Sequence, residues 1–380
     1  MKKNRLVSII IALIMVLSFS ACGSGGSDSA STGTDAPSTA APSGDAPAAS
    51  DETFTLTYSY FTSEAIGPGL FIQQAVKNIE ERSNGRLKID TYFNGTLLKT
   101  SDVISGCING TADIVTVDQS IMGEVFPLSN IFSMPFTSIP PAKTKMDEAF
   151  NQLLIDRPEL GEEVAKEGLM YLGIAPCGGH HLHGISTVYD SPESLKGQAI
   201  DGLGEGGKII TALGGNGSTM DPGDWYLSLS TGLLDGQLTH FPVLHGFGTG
   251  ELLTTHTIFS NSTDPKDTEA MFGGGIYAPM MGNIMNKASY DKLPADLQEI
   301  LVDEFGKFAT YVTALDIPEM AQPALDLALE RGDKFVFIGD KDLDPWKPGM
   351  QKVIDEWTTK VDGLGYDGKG LYDHLISLFK

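Results

Sequence analysis

The sequence predicts an α/β protein large enough for two lobes, and three observations carry that expectation. Between about residues 53 and 117 the hydrophobic pattern switches period in the order strand, helix, strand, helix, strand. Before Glu52 the composition collapses to small and polar residues, which marks where a folded body begins. The body that follows holds roughly 330 of the 380 residues, long enough for two lobes.

Thr53 to Tyr60 alternates and is rich in aromatics, as a half-buried strand should be. Ile72, Ala75, Val76 and Ile79 then recur at helical spacing until Asn84-Gly85 stops the helix. Leu87, Ile89, Thr91 and Phe93 alternate next, and Asn94-Gly95 turns the chain. Ser101 and Asp102 open a second helix carrying Val103, Ile104, Cys107 and Ile108, followed by the short apolar strand Asp113 to Val117. Right-handed crossovers place such units in a parallel sheet whose ligands sit at the carboxyl ends of the strands. Those ends carry Tyr60-Phe61-Thr62-Ser63 and Asp118-Gln119-Ser120. Residues 294–332 read as helices, Phe335 to Ile338 as a late strand, and the tail as another helix.

Lys2, Lys3 and Arg5 precede an apolar run from Leu6 to Phe19, and Ser20-Ala21 leads into Cys22. This is the pattern of a secretory signal over residues 1–21, and a cysteine directly after the small residues is the acceptor of a diacylglycerol (palmitate-type) lipid. Phe19 departs from the aliphatic usual at its position; the competing reading is a soluble exported protein with an incidental cysteine. From Cys22 to about residue 51 no aromatic or large aliphatic residue occurs, so this stretch reads as a flexible tether. The expected location is extracytoplasmic, lipid-anchored to the cell membrane.

The net charge of −23, from 26 basic and 49 acidic residues, argues against nucleic acid and against adsorption of the body to anionic lipid. Cys107 and Cys177 remain once Cys22 is set aside; 70 positions apart, they read as separate buried thiols more readily than as a disulfide.

Glu81-Arg82-Ser83-Asn84-Gly85-Arg86-Leu87-Lys88-Ile89, Phe93-Asn94-Gly95, Gly110-Thr111-Ala112-Asp113-Ile114 and Met134-Pro135-Phe136 follow in order along the chain. Ser191-Pro192-Glu193-Ser194-Leu195-Lys196-Gly197, Thr231-Gly232-Leu233-Leu234-Asp235-Gly236-Gln237 and the run Asn286 to Pro294 continue the series. Together, from about residue 53 to about 330, they resemble the solute-binding proteins of TRAP transporters, a family typified by dicarboxylate receptors. The resemblance implies a two-lobed periplasmic-binding-protein-like fold, a ligand cleft between the lobes and a long helix spanning both. Residues 52–177 would form lobe I, with a returning segment near 265–305, and residues 178–264 lobe II, with helices in 306–380 bracing both. It further implies a receptor that is not an enzyme, needs no cofactor, and delivers a small solute to the small and large membrane subunits of a permease.

Departures from the family pattern are concentrated in the second half. The segment after Leu195-Lys196-Gly197 usually ends in an arginine that grips a ligand carboxylate through two hydrogen bonds, and here it leads to Asp201. A further arginine, often about 21 residues earlier, corresponds to His180 or His181, and the polar pair after Asp-Gly-Gln falls on Leu238 and Thr239. No arginine occurs in the 173 residues between Arg157 and Arg331. Between Gly178 and Thr263 eight acidic residues face only Lys196 and Lys208, and among the histidines of the same span are His180, His181, His183, His240 and His245. A desolvated carboxylate without a cation costs several kcal/mol, so an anionic solute is poorly served.

The histidines admit two readings: a metal site to which Asp201 adds oxygen, or neutral imidazoles lining a polar cleft. Asp201 itself would complement an ammonium or a hydrogen-bonding neutral solute, or else be a surface residue at a strand end. Asp224-Trp225-Tyr226 occupies a family position of carboxylate, hydrophobic residue and tyrosine; Trp225 either stacks on ligand or belongs to a helix core. Tyr58, Tyr60 and Phe61 carry the same two readings. Gly202 to Gly207 and Gly273 to Gly275 lack a phosphate-loop ending and read as loops of close backbone approach. The candidate ligand residues are therefore Tyr60, Phe61, Asp118, Gln119, His180, His181, Asp201, Asp224, Trp225, Thr239 and His240. Competing functions are an organic acid held without arginine or as a metal chelate, a receptor feeding a sensor kinase, and a secreted enzyme using the His/Asp cluster; no nucleophile or metalloprotease motif supports the last.

Overall fold

Eleven strands and the helices between them are arranged as two sheets in the computed structural model, which describes residues 52–140 and 142–380. The predicted signal peptide, Cys22 and the tether lie outside the described residues. The strands are β1 (Phe54–Tyr60), β2 (Leu87–Tyr92), β3 (Ile114–Asp118), β4 (Leu169–Pro176), β5 (His181–Gly184), β6 (Ala199–Asp201), β7 (Asn216–Ser218), β8 (Gly236–Thr239), β9 (Thr255–Phe259), β10 (Met280–Asn286) and β11 (Lys334–Ile338).

The first sheet has the order β2-β1-β3-β10-β4, with β1 parallel to both neighbours and β10 antiparallel to both of its own. The helix Gly67–Arg82 between β1 and β2 buries Ile72, Ala75 and Ile79 as its periodicity predicts, together with Phe71, while Val76 is half-buried. It ends where Asn84 and Gly85 both adopt left-handed backbone, φ 53° and 76°, as the Asn-Gly pair requires. The second sheet has the order β11-β9-β5-β8-β6-β7. Residues 280–286 thus return to the first sheet, and β11, from the far end of the chain, adds an edge strand to the second.

A helical run over residues 308–331 connects the two lobes. Its first part, Phe308–Leu315, places Phe308 and Val312 in the core built on Tyr58, Phe71 and Phe305. Its last part, Gln322–Arg331, places Ala324 and Leu325 in the core of Leu244, Leu253 and Ile258. Between them Asp316–Ala321 widens to a π-helical turn around Pro318, whose ring cannot donate a backbone hydrogen bond and crowds the preceding turn. Helices Lys347–Gly363 and Gly368–Leu378 clasp both lobes: Trp357 and Leu375 share one core with Phe150 of the first lobe and Ile209 and Ile210 of the second. Trp357 Nε1 donates to Pro127 O at 2.7 Å and the Tyr372 hydroxyl to Pro135 O at 2.8 Å. Cys107 and Cys177 are buried and not joined in a disulfide, and burial pushes the Cys107 thiol up to about 12.

Candidate ligand cleft

The carboxyl ends of β1 and β3 face the second lobe across a cavity of about 60 Å³. The first lobe contributes Tyr60, Phe61, Thr62, Ile66, Gly67, Pro68, Asp118 and Met281. The second contributes Leu203, Pro222, Trp225, His240, Pro242, Val243 and Phe247, and Cys177 lies where the chain crosses between them. Leu203 also borders a wider recess of about 500 Å³, lined by Thr100, Ser101, Ser105, Ser120, Lys208 and Thr219 among others. The lobes touch beside the cavity: Asn130 Nδ2 donates to Glu205 Oε2 at 3.2 Å, and Gly204 lies against the backbone of Ser120.

The walls are aromatic and the polar groups few. Tyr60 and Phe61 meet edge to face with ring centroids 5.4 Å apart, as do Trp225 and Phe247 at 5.0 Å. Asp118 ends β3 with Oδ1 accepting from Ser120 N at 2.8 Å, and burial pushes its pKa up to about 6. His240 stacks on His180 with centroids 4.9 Å apart and planes 14° from parallel; burial, aided by the charge of Lys143, lowers His240 to about 3 and keeps it neutral. Lys143 itself is fully buried behind, its Nζ bonded to Asp147 at 2.7 Å and to Thr313 at 3.3 Å. Among the described residues lining the cavity there is no lysine or arginine.

Of the residues picked from sequence, Tyr60, Phe61, Asp118, Trp225 and His240 come together on the cavity wall. The others do not line it. Asp201 sits at the end of β6 turned inward, Oδ2 accepting from Trp225 Nε1 at 2.8 Å and Oδ1 from the Ser218 hydroxyl at 3.1 Å. It therefore orients the indole from behind, and burial pushes it up to about 6. His180 backs His240, with one ring nitrogen on Gly178 O at 3.0 Å. His181 spends Nε2 on Met271 O at 2.7 Å and accepts Phe259 N on Nδ1 at 3.1 Å. Gln119 donates to the Tyr171 hydroxyl at 2.6 Å, Thr239 is buried in β8 opposite His181, and Asp224 is exposed at the start of the helix Trp225–Ser230. The histidines do not converge on a metal: no group of three or more His, Cys, Asp or Glu among the described residues is arranged to hold one.

Two features escape a reading of the sequence. Phe247, Ile66 and Pro242 reach the cavity from loops or short helices that have no periodic pattern to place them. His256, on β9, pairs its Nδ1 with His183 Nδ1 at 2.8 Å while its Nε2 meets Asp333 Oδ2 at 3.0 Å. Asp333 is in turn bonded to Arg331, so the arginine nearest the end of the long gap is used structurally, capping carbonyls of Gly250, Glu251 and Leu253.

Replacing Trp225 with phenylalanine keeps an aromatic ring but removes the donor to Asp201. The expected result is a loss of about 1–3 kcal/mol of stability at neutral pH, the cost of a buried carboxylate losing a partner. Urea denaturation measures it, and the loss should shrink below about pH 5, where Asp201 carries its own proton.

Comparison with known proteins places this geometry. The profile described as bacterial extracellular solute-binding protein, family 7, matches residues 68–360. A solute-binding protein of Chromohalobacter salexigens is 26% identical over 201 residues, half of this chain and 57% of that one, so this match spans little more than half of the relative. One from Albidiferax ferrireducens is 25% identical over 305 residues, 77% of this chain and 83% of the relative. The crystal structure of a marine metagenome TRAP solute-binding protein specific for aromatic acid ligands, in complex with metahydroxyphenylacetate, superposes with a TM-score of 0.73. It covers 86% of this chain and 98% of its own at 22% identity, a likeness of fold. With a two-lobed body, a cleft walled by both lobes and a family profile spanning most of its length, the chain belongs to family 7 of the bacterial extracellular solute-binding proteins.

Proposed function

We propose that the protein captures a small organic solute by closing its lobes and delivers it to a TRAP-type permease of small and large membrane subunits, while held to the membrane by a lipid on Cys22. The observation that carries the ligand reading is a cavity whose wall comes from both lobes and includes Asp118 but no cationic side chain. Because both lobes supply contacts, a solute seated there binds the closed form better than an open one, which is all that closure requires energetically. The aromatic acid of the marine metagenome relative would suit the ring-rich walls, but its ionised carboxylate would meet Asp118 with no guanidinium opposite. An unpaired desolvated carboxylate costs several kcal/mol, so a simple arginine-clamped carboxylate is not the ligand this cleft favours.

Thermal-shift screening of the purified protein against amines, amides, osmolytes, organic acids and divalent metals, with and without chelator, tests this. A ligand at about 100 times its Kd adds about 2.7 kcal/mol, a shift of several degrees. Succinate and similar dicarboxylates should give little; a strong metal-free shift with succinate would sink the ligand reading. For the anchor, Cys22→Ala should abolish palmitate labelling and release the protein from the membrane fraction; a variant that stays membrane-bound would refute it.

A further inference from the structure

The aromatic residues around the cavity are arranged as two edge-to-face pairs, one on each lobe, and this arrangement has a chemical counterpart. Tyr60 with Phe61 line the cleft from the first lobe and Trp225 with Phe247 from the second, and Asp118 is the single carboxylate among the described lining residues. Building on the receptor reading, we infer that the cleft selects a solute with a compact cationic head group, an alkylated ammonium, held by the four rings and Asp118.

Five observations converge on this head group. The ring quadrupole attracts a cation at its face, most strongly where water is excluded, and Tyr60, Phe61 and Trp225 are each less than a tenth exposed. A buried carboxylate needs a positive partner to offset its desolvation, and none of the described residues lining the cavity provides one. Lys143, the cation behind His240, is already committed to Asp147, so it does not reach past the imidazole to serve an anion. His240 is neutral and therefore does not repel a cationic ligand. The position of Asp118 reassigns the acidic contact: Asp201, at the site of the family's arginine, turns away to hold the Trp225 indole, and the carboxylate that faces the cavity comes from the other lobe.

The inference also predicts linkage with protons. Burial holds Asp118 partly protonated near pH 6, and a cationic ligand binds the ionised form. Affinity should therefore fall by about tenfold for each pH unit below about 6, with the slope lost when Asp118 is neutral at every pH.

The test uses the full chain and isothermal titration with tetramethylammonium, choline and glycine betaine, alongside 3,3-dimethylbutan-1-ol, which has choline's shape without its charge, and succinate. At least one ammonium probe is expected to bind, and choline to bind about 30-fold or more tighter than its neutral counterpart, the scale of a desolvated cation–π and ion contact. Asp118→Asn should weaken the ammonium probe by a similar factor and leave the neutral alcohol unchanged. The unmutated protein alone can overturn the proposal: no binding by any of the three ammonium ions, or equal binding of choline and the neutral alcohol, would do so. Binding and lobe closure with succinate or another solute in that event would leave the receptor reading standing. If small-angle scattering finds closure with no solute of any class in the screen, the receptor reading fails with it.

Discussion

Between pH 7 and pH 5 the unliganded protein is expected to lose about 5 kcal/mol of stability, because imidazoles buried at and behind the cleft must stay neutral to remain folded. His180, His181 and His183 are at most 5% exposed, and burial lowers all three below the ordinary histidine range, His181 to about 4, as it lowers His240 to about 3. Their depressed values contribute stability that is present above the unfolded pKa near 6.5 and lost as pH falls toward the folded ones. At pH 5 the unfolded chain takes up these protons and the native one does not, at about 2 kcal/mol for each ring. Asp118 and Asp201 act in the opposite sense. Both are pushed up to about 6, so the native state gains protons over this interval and recovers about 1.3 kcal/mol for each. The imidazoles win, and the net loss is a large part of a typical total of about 5–15 kcal/mol. Urea midpoints at pH 7, 6 and 5 read it directly. Replacing both carboxylates with asparagine should steepen the loss to about 8 kcal/mol over the same range, since the recovering groups are gone. A midpoint that holds steady or rises on acidification would show that these rings are not held neutral.

The same histidines show what the sequence could and could not convey. The first part of the first lobe was legible because its elements have clean periods and Asn-Gly pairs follow its first helix and second strand, and the rule that ligands sit at strand carboxyl ends led directly to Tyr60, Phe61 and Asp118. The second lobe was not, for a geometric reason. β6 is three residues long, and alignment to the family's arginine put Asp201 at its end without revealing which way the carboxylate turns. It turns to the Trp225 indole, a partner 24 positions away that no local pattern announces. His181 and His183 share a strand face as expected, yet three of their four ring nitrogens are taken up by Met271, Phe259 and His256, contacts across strands whose order only the folded chain sets. The long helix was expected from the family resemblance; its π-turn follows from Pro318, a residue that marks a break without saying whether the helix kinks, stops or widens.

Gly204→Ala should lower ligand affinity by about 100-fold or more while leaving each lobe folded. Gly204 precedes the helix Glu205–Ala212 with φ 56°, a left-handed conformation that costs an alanine about 1–2 kcal/mol in any arrangement of the lobes. A β-carbon there would also lie 2.2 Å from the carbonyl oxygen of Ser120 and 2.4 Å from its carbonyl carbon. Those atoms are backbone of the other lobe, so no side chain can move aside, and relief comes only by opening the cleft. The clash therefore burdens the closed state alone, and about 3 kcal/mol against closure is a factor of roughly 150 in affinity. Gly197 provides the control: its φ is 79°, and nothing lies within 4 Å of a β-carbon built on it. Gly197→Ala should share the backbone strain and lose about 1–2 kcal/mol of stability, yet bind ligand as the parent does. Titration calorimetry with any solute that stabilises the parent, joined to scattering profiles with and without it, separates the two variants. If Gly204→Ala closes and binds as tightly as Gly197→Ala, the contact between Gly204 and Ser120 is not what ligand binding draws together, and closure must run through a different seam between the lobes.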